Sequence, residues 1–403
     1  MKTRIAAIEF GTSKIATVIA KSDGRGRCDI VSCGRVNYDG YRDGDWVNPE
    51  ALEKAVFGSV LAAQSEAGTK IKEIYIGVPC EFIHVKQSTA TVTVKGEDGK
   101  VSDDDINAVQ DAAGAVFEFE KHGGNVIHRS PAWFSIDNGP HTMKPLNATA
   151  EQLSACVSFI VAEQYFIDDM IEIMGKAGIT INGFLSPTFG EQLMLISEED
   201  RERPCIFVNS GLLNTELSVI EGDGIVYHAV LPKGGSYITD MLSEQLEISE
   251  HDAETLKRSV VLKKDEAELL ENPTFRDANG RSISFDEDTV CEIIQQAVDD
   301  IVEDIRLTIE DAGSLVMPRS KLYLTGGGLA LIRGAGDYIK EGLKRQVKLP
   351  TIRSSRLGDP CYSSVMGLVD LIYDSIEQRT QDDDILPVRV VDGIKSIFNK
   401  RSN

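Results

Sequence analysis

Short apolar stretches, alternating with polar turns, dominate the first eighty residues of the chain. The segments RIAAIEF, IATVIAK and DIVSCGRVNY predict three consecutive strands, and a Gly-Thr-Ser-Lys turn joins the first two. Apolar residues at helical spacing predict a helix from Pro49 to about Gly68, and IKEIYIGVP predicts another strand. The predicted order at the start of the chain is therefore β-β-β-α-β.

The pattern changes between His84 and Tyr165. Alternating segments, HVKQSTATVTV, NVIHRSPAWFSID and LSACVSFIVAE, predict strands around a single helix. That helix begins with Ser102 followed by three aspartates, a typical helix-start cluster. We interpret this stretch as a small α+β domain inserted into the main fold.

The second half of the chain repeats the strand-turn-strand pattern of the first. After a helix in YFIDDMIEIMGKAG and a strand in INGFLSP, the segment RPCIFVNSGLLNTELSVIEGDGIVYHAVL predicts three strands joined by glycine-containing turns. Helices are predicted over 236–260, 286–312, 331–347 and 361–377, and a strand in KLYLTGGG. The repetition predicts a duplicated α/β architecture with two sheets.

Composition places the chain among ordinary globular proteins. It has 403 residues, 42% hydrophobic and 26% charged, enough for two to four structural units. The formal net charge of -22 argues against a nucleic-acid partner. Seven scattered cysteines without a CxxC pair suit a reducing compartment, and no apolar run approaches the length of a transmembrane helix. These features predict a cytoplasmic protein.

The last fifteen residues, 389–403, are basic although the rest of the chain is acidic. They follow an acidic QDDD run, and we interpret residues 378–388 as a solvated linker. Apolar and basic side chains recur at helical spacing, which predicts an amphipathic helix that binds a membrane surface or a groove on a partner. The preceding linker favours a tethered membrane anchor. The alternative is a terminal helix packed on its own domain. The predicted membrane-contacting residues are Val390, Val391, Ile394, Lys395, Ile397, Phe398, Lys400 and Arg401.

Three glycine-containing turns follow apolar strands and could present backbone N–H groups to phosphates. They are Gly11-Thr12-Ser13-Lys14, the segment 211–215, and Thr325-Gly326-Gly327-Gly328. Any one of them alone is better explained as a tight turn. Three turns at corresponding positions in two half-domains favour a nucleotide site.

On these motifs the chain resembles the actin/Hsp70/sugar-kinase superfamily and, within it, the FtsA family of bacterial cell-division proteins. IEFGTSK is similar to the first phosphate loop of that superfamily, and TGGGLALIRG is similar to its adenosine loop. LPKGGSYITDML and AETLKRSV resemble the stretch before and inside the helix that flanks the adenine. YSSVMGLVDLIYD resembles the closing helix of the first subdomain, while the insert and the basic end occupy the positions that distinguish FtsA proteins.

The resemblance implies a two-lobed actin-like ATPase fold with an inserted α+β subdomain and a C-terminal amphipathic helix on a flexible linker. The implied divisions are 1–83, 166–193 and 353–377 for subdomain IA, 84–165 for the insert, 194–352 for subdomains IIA and IIB (IIB about 236–312), 378–388 for the linker and 389–403 for the membrane helix.

The resemblance also implies a site for ATP or ADP with Mg²⁺. Glu254 and Lys257 would contact the nucleoside, and Glu9 would hold the metal weakly through a water molecule. No catalytic residue is assigned. The implied nucleotide-binding residues are Gly11, Thr12, Ser13, Lys14, Gly211, Thr215, Gly234, Gly235, Glu254, Lys257, Gly326, Gly327 and Gly328.

Two departures from the superfamily pattern weaken the case for an enzyme. Glu9 stands where an aspartate is usual. The second phosphate loop, normally Asp-x-Gly-Gly-Gly-Thr-Thr-Asp, here reads Asn-Ser-Gly-Leu-Leu-Asn-Thr-Glu over 209–216. Loss of a carboxylate weakens Mg²⁺ binding, and two leucines would crowd phosphate oxygens. The expectation is at most a weak ATPase.

The implied function is a division adaptor on the cytoplasmic face of the membrane at the division site. It would bind the C-terminal peptide of FtsZ through its second large subdomain, stack with itself into protofilaments, and contact later division proteins. The alternatives are another actin-fold membrane-associated assembly protein, of the pilus-assembly or shape-determining type, and an actin-fold ATPase or kinase.

Overall fold

The structure is a computed structural model that describes residues 4–22, 28–117, 125–263, 268–269, 275–276 and 282–381. It has two lobes, each built on a five-stranded sheet, and a four-stranded insert. The predicted α/β fold with two main sheets and an inserted subdomain is confirmed.

The first lobe begins with the predicted β-β-β-α-β order, to which the structure adds a pair of two-residue strands between the third strand and the helix. Its sheet has the strand order β11-β6-β1-β2-β3, with β1 antiparallel to β2 and parallel to β6. Nearly every residue of β1 and β2 is buried, because helices α1 and α10 (Ser363–Gln381) pack on this sheet. The first elements are β1 (Arg4–Phe10), β2 (Lys14–Ser22), β3 (Cys28–Asn37), β4 (Tyr41–Arg42), β5 (Asp45–Trp46), α1 (Pro49–Ala67) and β6 (Glu73–Gly77).

The insert leaves the first lobe after β6 and returns at α3. Its antiparallel sheet has the order β7-β10-β8-β9, and helix α2 packs on β7 and β10. The predicted start of α2 is confirmed, since Ser102 and Asp105 form a capping box. The elements of the insert are β7 (Ile83–Thr93), α2 (Asp103–Val116), β8 (Asn125–Ile136), β9 (His141–Thr142) and β10 (Gln152–Ala162).

The chain then completes the first lobe with elements that include a helix the sequence pattern did not predict. This helix, α4, has Ser186 as its N-cap and Pro187 in its first turn, a recognisable helix start. Helix α4 crosses α10 where Gly190 meets Gly367, and a Cβ on Gly190 would lie 2.2 Å from the Gly367 carbonyl oxygen. The elements of this stretch are α3 (Gln164–Ala177), β11 (Thr180–Leu185), α4 (Pro187–Leu195) and α5 (Glu198–Arg201).

The second lobe repeats the strand-turn-strand unit of the first. In both, a glycine amide closes the first hairpin: Gly11 N–H donates to Lys14 O at 2.9 Å, and Gly211 N–H to Asn214 O at 2.8 Å. The sheet order is β14-β13-β12-β19-β20. The elements are β12 (Cys205–Ser210), β13 (Thr215–Glu221), β14 (Gly224–Leu231), α6 (Gly235–Leu246), α7 (Glu250–Ser259), β15 (Val260–Val261), β16 (Glu268–Leu269), β17 (Phe275–Arg276), β18 (Ser282–Ile283), α8 (Glu287–Asp311), β19 (Leu322–Thr325), α9 (Ala335–Leu343) and β20 (Val347–Lys348).

Three predicted helices have different bounds in the structure. The helix predicted over 236–260 is two helices, because Glu247 ends α6 in the left-handed region (φ 52°) and Ser249 caps α7. The helix predicted over 331–347 is only the nine residues of α9, which ends at the left-handed Lys344. Helix α10 continues to Gln381, so the first four residues of the predicted linker are helical.

The remainder of that linker and the predicted amphipathic helix, 389–403, lie outside the described residues. Within the described part of the chain, no helix combines the length and apolar character needed to cross a membrane.

Candidate functional site

A cleft of about 430 Å³ lies between the two lobes, and the three glycine-containing turns line it. Its volume is within the usual range for small-ligand sites. All but two of the predicted nucleotide-site residues line this cleft, as does the predicted metal residue. The residues brought together are Glu9, Gly11, Thr12, Ser13, Lys14, Gly211, Gly235, Glu254, Lys257, Gly326, Gly327 and Gly328.

Thr215 and Gly234 are the two predicted residues that do not line the cleft. Thr215 is fully buried, and its Oγ1 donates to the Lys233 carbonyl oxygen at 2.8 Å. Gly234 packs under the second turn, where a Cβ would lie 2.5 Å from the Leu212 carbonyl oxygen. Both residues support the turn that carries Gly211.

The first turn contacts the second directly across the cleft. Thr12 Oγ1 accepts hydrogen bonds from the backbone N–H groups of Leu212, at 3.0 Å, and Leu213, at 3.3 Å. Lys14 turns away from this contact: its Nζ donates to the Cys361 carbonyl oxygen at 3.2 Å and lies 5.0 Å from the centre of the Tyr362 ring. The lysine therefore reaches the first lobe's own backbone at the edge of the cleft.

The third turn approaches the second turn so closely that only glycine fits. Gly326 has φ 91°, and a Cβ there would lie 2.2 Å from the Ser210 carbonyl oxygen. A Cβ on Gly328 would lie 2.4 Å from the Gly211 carbonyl oxygen. The close packing of the two backbones thus explains why positions 326 and 328 are glycine, whether or not a ligand also needs the space.

Lys257, which is buried, forms an ion pair with the half-buried Glu254 at one wall of the cleft. Lys257 Nζ lies 2.5 Å from Glu254 Oε2 and donates to the Gly235 carbonyl oxygen and to Thr239 Oγ1, both at 2.9 Å. Burial lowers the pKa of Lys257 and opposes the ionisation of Glu254. The charge and hydrogen bond of Lys257, together with hydrogen bonds from Arg258 and Thr239, outweigh that effect and lower the pKa of Glu254. Arg258 also contacts Glu254, at 2.8 Å from Nε to Oε1, but is largely exposed.

The floor of the cleft holds an acid that the sequence pattern did not single out. Glu191, on α4, is almost fully buried and accepts from Asn209 Nδ2 at 2.9 and 3.1 Å. Its pKa is raised to about 8, first by burial and then by the charge of Glu216. The signal available in the sequence was an acid within the apolar run PTFGEQLML, following a Ser-Pro helix start.

Two further acids face the same floor. Burial raises the pKa of Glu9 to about 7, against the opposing effect of Lys14. Glu216 pairs with His228, with Oε1 2.9 Å from Nε2. Among the described residues, no group of three or more His, Cys, Asp or Glu side chains is arranged to hold a metal ion.

The two-lobed fold, the paired hairpins and the cleft between them define an actin-like ATPase fold. Solved structures agree: the PilM–PilN type IV pilus biogenesis complex matches with a TM-score of 0.59 at 17% identity, covering 92% of this chain and 98% of that one. MreB5 of Spiroplasma citri bound to ADP matches with a TM-score of 0.55 at 12% identity, covering 94% and 98%. At these identities the likeness concerns the fold.

Sequence comparison identifies the family. The model of cell division protein FtsA matches residues 206–367, and the model of the SHS2 domain inserted in FtsA matches residues 81–161. The cell division protein FtsA of Borreliella burgdorferi is 24% identical over 388 residues, covering 93% of this chain and 92% of that protein. The FtsA of Enterococcus faecalis is 23% identical, covering 90% and 82%. The chain belongs to the FtsA family of cell-division proteins, as the sequence motifs predicted.

Proposed function

We propose that this chain is a division adaptor that ties FtsZ filaments to the cytoplasmic face of the membrane at the division site. The observation that carries the proposal is the combination of an actin-like body with the SHS2 insert characteristic of FtsA, matched over 81–161. The FtsA match to the second lobe over 206–367 supports the same role. Pilus and MreB proteins share the fold at lower sequence identity, which leaves the division role as the better-supported one.

The membrane part of the proposal rests on the sequence of residues 389–403, which carries four basic residues against one acid. One helix that buries about five apolar side chains binds a membrane weakly and reversibly. Subunits stacked into a protofilament would present many such helices together. The polymer would then bind far more tightly than a monomer, without any new contact.

Nucleotide enters the proposal as a structural ligand. The cleft has the volume for a nucleotide, and three turns converge on it, but the second turn carries Leu212 and Leu213 where glycines would leave room. Mg²⁺ would have few protein carboxylates to bind. Efficient phosphoryl transfer depends on well-placed metal ligands and phosphate donors, so turnover is expected to be slow or absent.

A binding measurement with the C-terminal peptide of FtsZ tests the proposed partner. The full chain is titrated against the labelled peptide, and a scrambled peptide of the same composition serves as control. Saturable binding of the native peptide alone is expected. Equal binding of both peptides, or of neither, would contradict the adaptor role and favour another actin-fold assembly protein.

A further inference from the structure

The Thr12 hydroxyl occupies a position at the second turn that suits an anionic oxygen. Successive backbone N–H groups that converge on one point form a typical anion-binding concavity. Here the converging groups belong to Leu212 and Leu213, and the atom they contact is Thr12 Oγ1, at 3.0 and 3.3 Å. Thr12 is only 6% exposed, and Gly40 packs against its backbone, where a Cβ would lie 2.6 Å from Thr12 O. The hydroxyl is thus held firmly in place.

A second contact closes the same side of the cleft. Asn214, in the second turn, donates through Nδ2 to Glu81 Oε1 at 2.5 Å. The other oxygen of Glu81 accepts from the Gly44 backbone N–H at 2.7 Å. Glu81 therefore links Asn214 of the second lobe to Gly44 of the first lobe.

Three other backbone donors near the second turn bond to acceptors within the second lobe. Gly235 N–H donates to Gly211 O at 2.9 Å, Ser236 N–H to Leu212 O at 2.8 Å, and Gly328 N–H to Ser210 O at 2.7 Å. These bonds lie within the second lobe. The amides of Leu212 and Leu213 differ from these three, because the oxygen that they contact, Thr12 Oγ1, belongs to the first lobe.

The insert joins the lobes a second time, away from the cleft. It emerges from the first lobe, yet it packs on the β13–β14 hairpin of the second: Ser158 Oγ donates to Ile225 O at 2.7 Å, and Asp223 N–H to Pro131 O at 3.1 Å. Gly224 is so close to Ala132 that a Cβ would lie 2.8 Å from the Ala132 Cα. Rotating the lobes apart would break this interface as well as the contacts at the cleft.

We propose that the chain's own residues hold its two lobes together across the cleft, through a latch in which the Thr12 hydroxyl takes the place of an anionic oxygen at the amides of Leu212 and Leu213. The contacts of Thr12, of Glu81 and of the insert then join the lobes at three places. Any ligand that brings a phosphate oxygen to Leu212 and Leu213 must first displace the Thr12 hydroxyl. The inference concerns the regulation of the cleft named in the proposed function, but its test requires no nucleotide and no FtsZ.

Hydrogen exchange at the Leu212 and Leu213 amides, measured on the full ligand-free chain, tests the latch. The wild-type amides are expected to be protected without any ligand. Thr12→Val keeps the shape of the side chain and removes the acceptor, so both amides should exchange about tenfold faster. Thr12→Ser retains the hydroxyl and should stay close to wild type. Thr255→Val is the control for the substitution itself. Thr255 is exposed on helix α7, and its Oγ1 donates to the His251 carbonyl oxygen of the same helix at 3.0 Å.

Unprotected amides at 212 and 213 in the wild-type chain would overturn the proposal without any variant. Equal exchange in wild type and Thr12→Val would overturn it too. If Thr12→Val loses protection throughout the chain, Thr12→Ala provides the same comparison with a smaller side chain. Should both variants unfold, the wild-type rates decide: protection supports the latch and its absence contradicts it. Failure of FtsZ-peptide binding would leave these rates unaffected, so the two proposals can fail independently.

Discussion

Asn209 donates through a single amide nitrogen to both carboxylate oxygens of Glu191, at 2.9 and 3.1 Å. The sequence pattern suggested that Asn209 marks the loss of an acid from the second turn. In the structure a carboxyl group is present beside it, contributed by helix α4. The floor of the cleft therefore keeps an acidic character, and the amide at 209 is the partner that allows Glu191 to be buried.

The raised pKa of Glu191 predicts a specific dependence of stability on pH. Its ordinary value is 4.5 and its folded value is about 8, so between these values the folded chain holds a proton that the unfolded chain has lost. The free energy of unfolding should therefore fall as pH rises through this window, by about 1.4 kcal/mol per pH unit for one such proton. Glu9, with a pKa of about 7, adds to the fall between pH 4.5 and 7.

Glu191→Gln should flatten that dependence, because glutamine has no proton to lose. Urea denaturation at pH 5, 7 and 9 measures the effect. The variant should lose less stability than wild type between pH 5 and 9. A variant whose pH profile is parallel to wild type would show that Glu191 is ionised in the folded chain.

Asn209→Asp should destabilise the chain by about 2 kcal/mol at pH 9, and less at pH 5, because above the pKa of Glu191 two carboxylates would face each other at about 3 Å. The matched control is Asn182→Asp. Asn182 also donates to a glutamate, Glu73, at 3.2 Å, but on the exposed surface. That substitution should cost well under 1 kcal/mol. Equal losses in the two variants would contradict the buried character of the Asn209–Glu191 pair.

Gly367→Ala should destabilise the crossing of α4 and α10 by about 3 kcal/mol, because an added Cβ would lie 2.4 Å from the Glu191 backbone nitrogen. Gly175→Ala is the control: it lies within helix α3 with nothing within 4 Å of the new Cβ. Alanine there should be neutral or stabilising by up to about 1 kcal/mol. Chemical denaturation of both variants separates the destabilisation caused by a steric clash from the effect of alanine's helix propensity. A Gly367→Ala variant as stable as wild type would contradict the close crossing of α4 and α10.

Lys257 and Arg258 both contact the carboxylate of Glu254. Lys257→Met and Arg258→Met therefore compare how much a buried and an exposed cation contribute to stability at the same carboxylate. Lys257 is buried and has three acceptors, whereas the side chain of Arg258 is 76% exposed. Removing Lys257 should cost about 3 kcal/mol, since polar groups at the wall of the cleft lose their partner. Removing Arg258 should cost less than 1 kcal/mol. Thermal denaturation gives the comparison, and similar losses would argue that Lys257 is accessible to solvent.

Much of the fold could be predicted because periodicity and turns are local signals. Neighbouring residues determine the hairpin at Gly11, its repeat at Gly211 and the helix start at Ser102. The break between α6 and α7 was missed because Glu247 adopts a left-handed conformation, and an acid in a run of helix formers gives little warning of it.

The site was harder to predict, because its contacts join residues far apart in the chain. The three turns could be located from their glycines, but the contact between Thr12 and Leu212 spans 200 positions. Glu191 was overlooked for the same reason: its partners on β12 and α10 become neighbours only once both lobes have formed. The role of Gly234 in packing likewise depends on the close approach of another turn.

Recruitment of FtsZ to lipid vesicles tests the proposed adaptor role in one experiment. Polymerised FtsZ is mixed with anionic vesicles and either the full chain or a chain ending at Val388, and the vesicles are collected by flotation. We expect FtsZ to float with the vesicles only when the full chain is present, and Phe398→Asp to weaken this recruitment. Recruitment by the truncated chain at the level of the full chain, or no recruitment by the full chain, would show that this chain does not tie FtsZ to the membrane through its end.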